Sequence, residues 1–193
     1  MKQIILSLIL SLALLAGCIE KRTQPPITRE SAVTGELLAM VEEDQQVRYN
    51  DSLDAAAVAA VDRTHRDRIF ELLAAGEITE PKNLFNAALI LEHADPATCV
   101  ECYLLAHRLA SVAVNRGFEE ARSLAAATLD RYLVMTGHPQ KYGTQIGVDS
   151  FGNSYLYTVD SLTTDSMRRL WDVPSLDSLK ARVEALSRGK DLQ

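Results

Sequence analysis

The chain has 193 residues, with 20 basic and 26 acidic side chains, a formal net charge of −6 and three cysteines. Its charges are interspersed and form no basic stripe, which argues against nucleic acid as a partner and against electrostatic attachment to anionic lipid. The length suits one domain with its own core.

Residues 1–17 read as a sorting signal. Met1-Lys2 is a short positive start, and an apolar run from Ile4 to Ala16 is interrupted only by Ser7 and Ser11. That run is shorter than the about 20 apolar residues a membrane span requires, and it has the size of a secretory signal. It ends in Leu14-Leu15-Ala16-Gly17-Cys18, which resembles the bacterial lipobox. The expectation is cleavage before Cys18, lipidation of that cysteine and attachment to a membrane through several acyl chains, a stable form of anchoring. Ile19 stands where an Asp often signals inner-membrane retention, so the expected address is the cell envelope, on the periplasmic side of the outer membrane. Residues 18–30 read as a polar tether kept extended by Pro25-Pro26. Residues 31–193 form the single domain.

That domain reads as mainly α, a bundle of about five to six helices with a C-terminal β-hairpin. Helices are expected over 31–48 and 53–75; on the second, Ala57, Val61, His65, Ile69 and Leu73 recur every fourth residue. A third starts at Pro81 and runs to His93, before Asp95-Pro96 stops it. A fourth spans 98–116 and a fifth 118–136, closed by Gly117 and Gly137. The small-residue texture of 84–136 resembles helical-hairpin repeats, with Asn115–Ala121 like a repeat turn, but one and a half units do not make an array. Gln145–Val148 and Tyr155–Val159 then flank a turn near Gly152-Asn153, a hairpin pattern. A short helix over 164–171 follows. A last one, capped by Ser175 or Asp177, carries Leu176, Leu179, Val183 and Leu186 on one stripe.

Within the fifth helix, Ser123–Met135 is apolar nearly all round yet carries Asp130 and Arg131 side by side. Every residue three or four positions from Asp130 is apolar: Ala126, Ala127, Leu133 and Val134. A carboxylate withdrawn from water costs several kcal/mol unless it is hydrogen-bonded or paired. Neighbours on a helix point about 100° apart, so these two must find separate partners. The loop after the helix supplies amides, a phenol, a hydroxyl and unpaired backbone N–H groups.

The run Asp130-Arg131, Gly137, Gln140, Tyr142-Gly143-Thr144-Gln145 resembles the D-R…G-x-x-Q-x-Y-G-T-Q signature of a bacterial family known only as a domain of unknown function. That family carries a Gln-His pair on an upstream helix, where Glu92-His93 stands here, and an early D-Q-x-x-R element matched by Asp44-Gln45 and Arg48. The resemblance spans roughly residues 40 to 172 and implies a recurring polar constellation, with no reaction attached.

Three functional readings follow. In the first, Arg131, Gln140, Tyr142, Gly143, Thr144 and Gln145 form a ligand-binding or protein-interaction module with Asp130, for an envelope protein or a small polar ligand. In the second, the chain is a hydrolase using His93 as base and Asp130 as its orienter. In the third, the constellation is a buried structural network. Cys99 and Cys102 pair as a disulfide in an oxidising compartment, or stay as thiols, or serve redox or metal chemistry. His93, Cys99, Cys102 and His107 superficially resemble a zinc cluster, but Cys102 and His107 diverge on one helix, so no metal is assigned. No Walker, Rossmann or H-E-x-x-H pattern is present and no cofactor is implied.

Overall fold

A computed structural model describes residues 28–190. The signal, Cys18 and most of the tether lie outside the described residues. The first helix, α1 (Arg29–Arg48), begins two residues before the expected domain start, because the Thr28 hydroxyl accepts from Ser31 N and caps it there. It buries Val33, Leu37, Met40 and Asp44 along one stripe. Asp54 caps α2 (Ala55–Ala74), which buries His65, Ile69 and Leu72. Ala57, Val61 and Leu73, from the stripe expected there, are only half-buried. A strict every-fourth spacing drifts off the helix face, whose period is 3.6.

Proline opens α3 (Pro81–Leu91) and again α4 (Pro96–Cys99), which meets α5 (Glu101–Asn115) at Val100. The helix expected over 98–116 is thus two segments, with Pro96 starting the first earlier. A 3-10 turn at Glu119–Ala121 leads into α6 (Arg122–Met135). The chain then forms β1 (Ile146–Val148), β2 (Ser154–Leu156), α7 (Asp165–Arg169) and α8 (Leu176–Lys190). Six of these helices have eleven or more residues; α4 and α7 have four and five. The architecture is therefore a helical bundle with a small C-terminal hairpin. No helix among the described residues is long and apolar enough to cross a membrane.

The main core lies where α5 packs between α3 and α6, with α1 and α2 laid over α3. Alanines 87, 88, 106, 110, 113 and 125 are fully buried in it. Their small side chains let the helix backbones approach closely, while Leu37, Ile69, Leu72 and Leu91 fill the wider gaps. A second, smaller core joins Ala126 of α6 to Tyr142, Val173 and Leu179. Trp171 packs against both cores and connects the bundle to the C-terminal segment.

The strands pair antiparallel with Ile146 opposite Leu156 and Gly147 opposite Tyr155. Asp149 Oδ1 shapes the turn by accepting from Phe151 N at 2.9 Å and Asn153 N at 2.8 Å. The ring of Tyr155 lies across Gly147: a Cβ there would be 2.4 Å from Tyr155 Cζ, so a larger residue would displace that exposed ring. Ser187 of α8 donates to Ser154 O and accepts from Ser154 N, both at 3.1 Å, and so seals one end of β2.

Candidate functional site

Asp130 is completely buried near the C-terminal end of α6, and its carboxylate is saturated by the loop that follows. Oδ1 accepts from Lys141 N at 2.6 Å and Tyr142 N at 2.9 Å. Oδ2 accepts from Gly143 N, Thr144 N and Thr144 Oγ1, each at 2.9 Å. Four successive peptide N–H groups and one hydroxyl converge on one carboxylate. This is the concave backbone arrangement that binds anions, filled here by the protein's own side chain. Gly143 makes the curvature possible: its φ is +95°, and a Cβ there would meet Leu179 Cδ1 at 3.0 Å.

Gln140, also wholly buried, closes the base of the loop. Its Nε2 donates to Gln145 O and Tyr157 O, both at 3.0 Å, and its Oε1 accepts from Gln145 N at 2.8 Å. Its backbone bridges to the segment after β2, through Gln140 N to Thr158 O at 2.9 Å and Asp160 N to Gln140 O at 2.8 Å. Gln145 reaches back to α6, donating from Nε2 to Ala127 O at 3.2 Å. Tyr142 is a core residue, with its ring 6.1 Å from that of Trp171. Burial first, and the Asp130 charge second, push its phenol pKa upward.

Arg131 bridges the end of this loop and the end of α3. Its Nε donates to Gln145 Oε1 at 3.3 Å, its NH1 donates to Glu92 O at 2.8 Å, and its guanidinium lies 5.6 Å from the ring centroid of Tyr103. Tyr103 donates its hydroxyl to Ala94 O at 2.6 Å, and burial raises its pKa. Arg131 thus holds the Glu92 carbonyl at the C-terminal end of α3. It is committed to the protein rather than held open for an anion.

A second buried charge grips the same loop from its carbonyl side. Arg168 of α7 is 2% exposed. It donates from Nε to Tyr142 O at 2.8 Å and from NH1 to Thr163 O at 2.9 Å and Asp165 Oδ1 at 3.0 Å. Asp165 also accepts from Leu176 N, the first residue of α8, and that bond holds its pKa low. Asp130 and Arg168 therefore clasp one turn from opposite faces, and Arg168 was not expected from the sequence. Its NH2 and Thr163 Oγ1 are buried without a hydrogen-bond partner among the described residues.

The expected pairing of His93 with Asp130 is corrected. His93 Nδ1 lies 3.1 Å from Oδ1 and 3.0 Å from Oδ2 of Asp44, while Asp130 is filled by the loop. Asp44 is 1% exposed and also accepts from Gln45 Nε2 at 2.8 Å, with Arg48 NH1 at 3.2 Å. The Asp44-Gln45, Arg48 and Glu92-His93 elements, flagged separately in the sequence, thus meet in one polar cluster. Arg131 links it to the loop through Glu92 and Gln145. The signal for Asp44 was available: Val33, Leu37 and Met40 set a stripe whose next member is Asp44. The His93 side chain is 23% exposed, and its Nε2 makes no hydrogen bond. A carboxylate holding one ring nitrogen while the other faces water is an arrangement able to move a proton.

Cys99 and Cys102 form a disulfide. His107, the other histidine of the zinc-like run, donates from Nδ1 to Ala125 O at 2.8 Å, and burial lowers its pKa. Among the described residues no group of three or more His, Cys, Asp or Glu side chains is placed to hold a metal. The Thr144 hydroxyl is engaged by Asp130, and Ser150 lies exposed in the hairpin turn. No protein family, curated protein or solved structure matches this chain.

Proposed function

We propose that the chain is a cell-envelope lipoprotein, anchored through Cys18 on the periplasmic side of the outer membrane, whose helical domain is a protein-interaction module that contacts its partner through the hairpin side. The observation that carries this reading is a contrast in rigidity and exposure. Asp130, Gln140 and Arg168 fix the base of the hairpin with buried hydrogen bonds, while its turn leaves Phe151 88% exposed and Val148 57% exposed. Four of the five most exposed large apolar side chains among the described residues fall between 148 and 170: Val148, Phe151, Leu162 and Leu170. Single exposed apolar residues are ordinary on any protein. A run of them on a segment held in one geometry supplies the pre-organised anchors that interfaces use. A small polar ligand is less favoured, because Asp130 is sealed and Arg131 is engaged.

The test is a photo-crosslinking residue placed at position 151 of the full chain in cells, with Tyr49, itself 82% exposed, as the comparison site. Position 151 should yield a discrete cross-linked species that position 49 does not. Equal or no yield at the two sites would remove the hairpin from the proposal. The anchor is checked separately: palmitate should label the wild-type chain and not Cys18→Ser.

A second reading is favoured by one observation, the buried Asp44 behind His93 with Nε2 open. It keeps the hydrolase alternative with Asp44, in place of Asp130, as the residue that orients the base. The full chain should then hydrolyse p-nitrophenyl acetate faster, per site, than free imidazole at the same pH. His93→Gln should remove the excess in a protein whose circular dichroism shows it still folded. A wild-type rate no higher than that of free imidazole would end this reading.

A further inference from the structure

From the setting of the Cys99–Cys102 bond we infer that it is a thiol–disulfide exchange site for cysteines carried on apolar peptide segments. The two sulfurs are not equivalent. Cys102 is 1% exposed within the main core, whereas Cys99, the last residue of α4, is only half-buried. Both line a groove of about 300 Å³ whose other walls are Phe70, Leu104 and Leu105, with Glu101 and Arg108 as its charged members. Phe70 is 39% exposed there, a large apolar ring left on the surface beside a reactive bond.

The bond constrains the unfolded chain less than a cross-link over a longer loop would. It closes the short ring of a three-residue separation, and the chain-entropy gain of a cross-link shrinks with the loop it closes. The junction is already bonded by Cys99 N to Asp95 O at 2.9 Å and Tyr103 N to Val100 O at 3.2 Å. A bond that closes so short a ring, has one sulfur partly exposed and lines an apolar groove is better explained by its chemistry.

In the exchange, the thiolate of a substrate cysteine lying against Phe70 attacks Cys99 Sγ, the accessible sulfur. The Cys99–Cys102 bond breaks and a mixed disulfide to Cys99 forms. Cys102 leaves as a thiolate in the first turn of α5 and takes a proton from water. A second thiol of the substrate then attacks its own sulfur in the mixed disulfide and releases Cys99. The substrate dithiol is oxidised to a disulfide, the protein disulfide is reduced to two thiols, and two electrons and two protons change hands. A partner disulfide running the same steps in reverse restores the protein. The site is separate from the hairpin and independent of the interaction reading.

The test uses the full chain in detergent with two reductants at equal thiol concentration: an apolar peptide carrying two cysteines, and glutathione. Mass spectrometry follows loss of the protein disulfide. The peptide should react about tenfold faster, the advantage one buried apolar side chain provides. Phe70→Ser should remove that advantage while leaving the glutathione rate unchanged. With a single-cysteine apolar peptide supplied as its mixed disulfide with glutathione, Cys102→Ser should accumulate the peptide disulfide-linked to Cys99 as glutathione leaves, and Cys99→Ser should accumulate none. Equal rates for the two reductants, mixed disulfides on Cys102, or a bond that reacts only in denaturant would each overturn the inference.

Discussion

Asp130→Ala should be the most damaging single substitution in the loop network, lowering the stability of the domain by about 3–5 kcal/mol, against the about 5–15 kcal/mol typical of a native domain. The cause is what the carboxylate leaves behind. Four peptide N–H groups and the Thr144 hydroxyl point at its two oxygens from 2.6–2.9 Å, and no other acceptor is placed to receive them. Each buried donor left unpaired costs about 1–3 kcal/mol, and the loop will open to water to recover part of that. Urea denaturation followed by circular dichroism measures the total. Hydrogen exchange at the amides of 141–144 locates it, and these should lose protection far more than those of α3. Asp130→Asn is the sharper control, since it keeps the shape but turns one acceptor into a donor that faces donors. It should lie well below wild type as well, which separates hydrogen bonding from packing. A midpoint for either variant equal to wild type would show that the loop does not depend on the carboxylate.

That dependence was legible in the sequence because helical periodicity is local. The residues three and four positions from Asp130 are apolar, so the carboxylate had to be buried, and the nearest supply of donors was the loop just after the helix. The hairpin was legible for the same reason, from two short runs flanking the Gly152-Asn153 pair, though its second strand ends at Leu156 rather than Val159. The partner of His93 was not. Asp44 and His93 are 49 residues apart, and nothing in α3 says which of the other helices will lie against it. Helix packing, rather than propensity, decides that contact. The stripe of Val33, Leu37 and Met40 shows that Asp44 faces inward, but not toward which residue.

Arg168 was the least legible member of the site. It sits in a polar five-residue helix beside Arg169, which is exposed, and no local pattern separates the two. Only the folded chain shows that one of them reaches the Tyr142 carbonyl. Local reading therefore identifies a buried charge when its surroundings in sequence are apolar, and misses it when the apolar surroundings come from distant segments. Here the distant group is the loop at Tyr142, 26 residues away, whose carbonyl Arg168 reaches.

Arg168→Ala should cost about 3 kcal/mol, because it strands the buried carbonyls of Tyr142 and Thr163 and opens the volume the side chain fills. Arg168→Lys should not restore stability, since an ammonium is a point charge and cannot spread donors over two carbonyls as the guanidinium fork does. The informative measurement is the double-mutant cycle. Asp130 takes the N–H of Tyr142 and Arg168 takes its C=O, so each charge holds the turn in the geometry the other needs. Once Asp130→Ala has released the turn, the Tyr142 carbonyl is no longer presented to Arg168, and removing the arginine has less left to break. The double variant should therefore be more stable than the sum of the single losses predicts, by about 1–2 kcal/mol. Strict additivity in urea denaturation would mean that the two charges act on independent parts of the fold. The hairpin would then rest on Asp130 and Gln140 without the grip of α7.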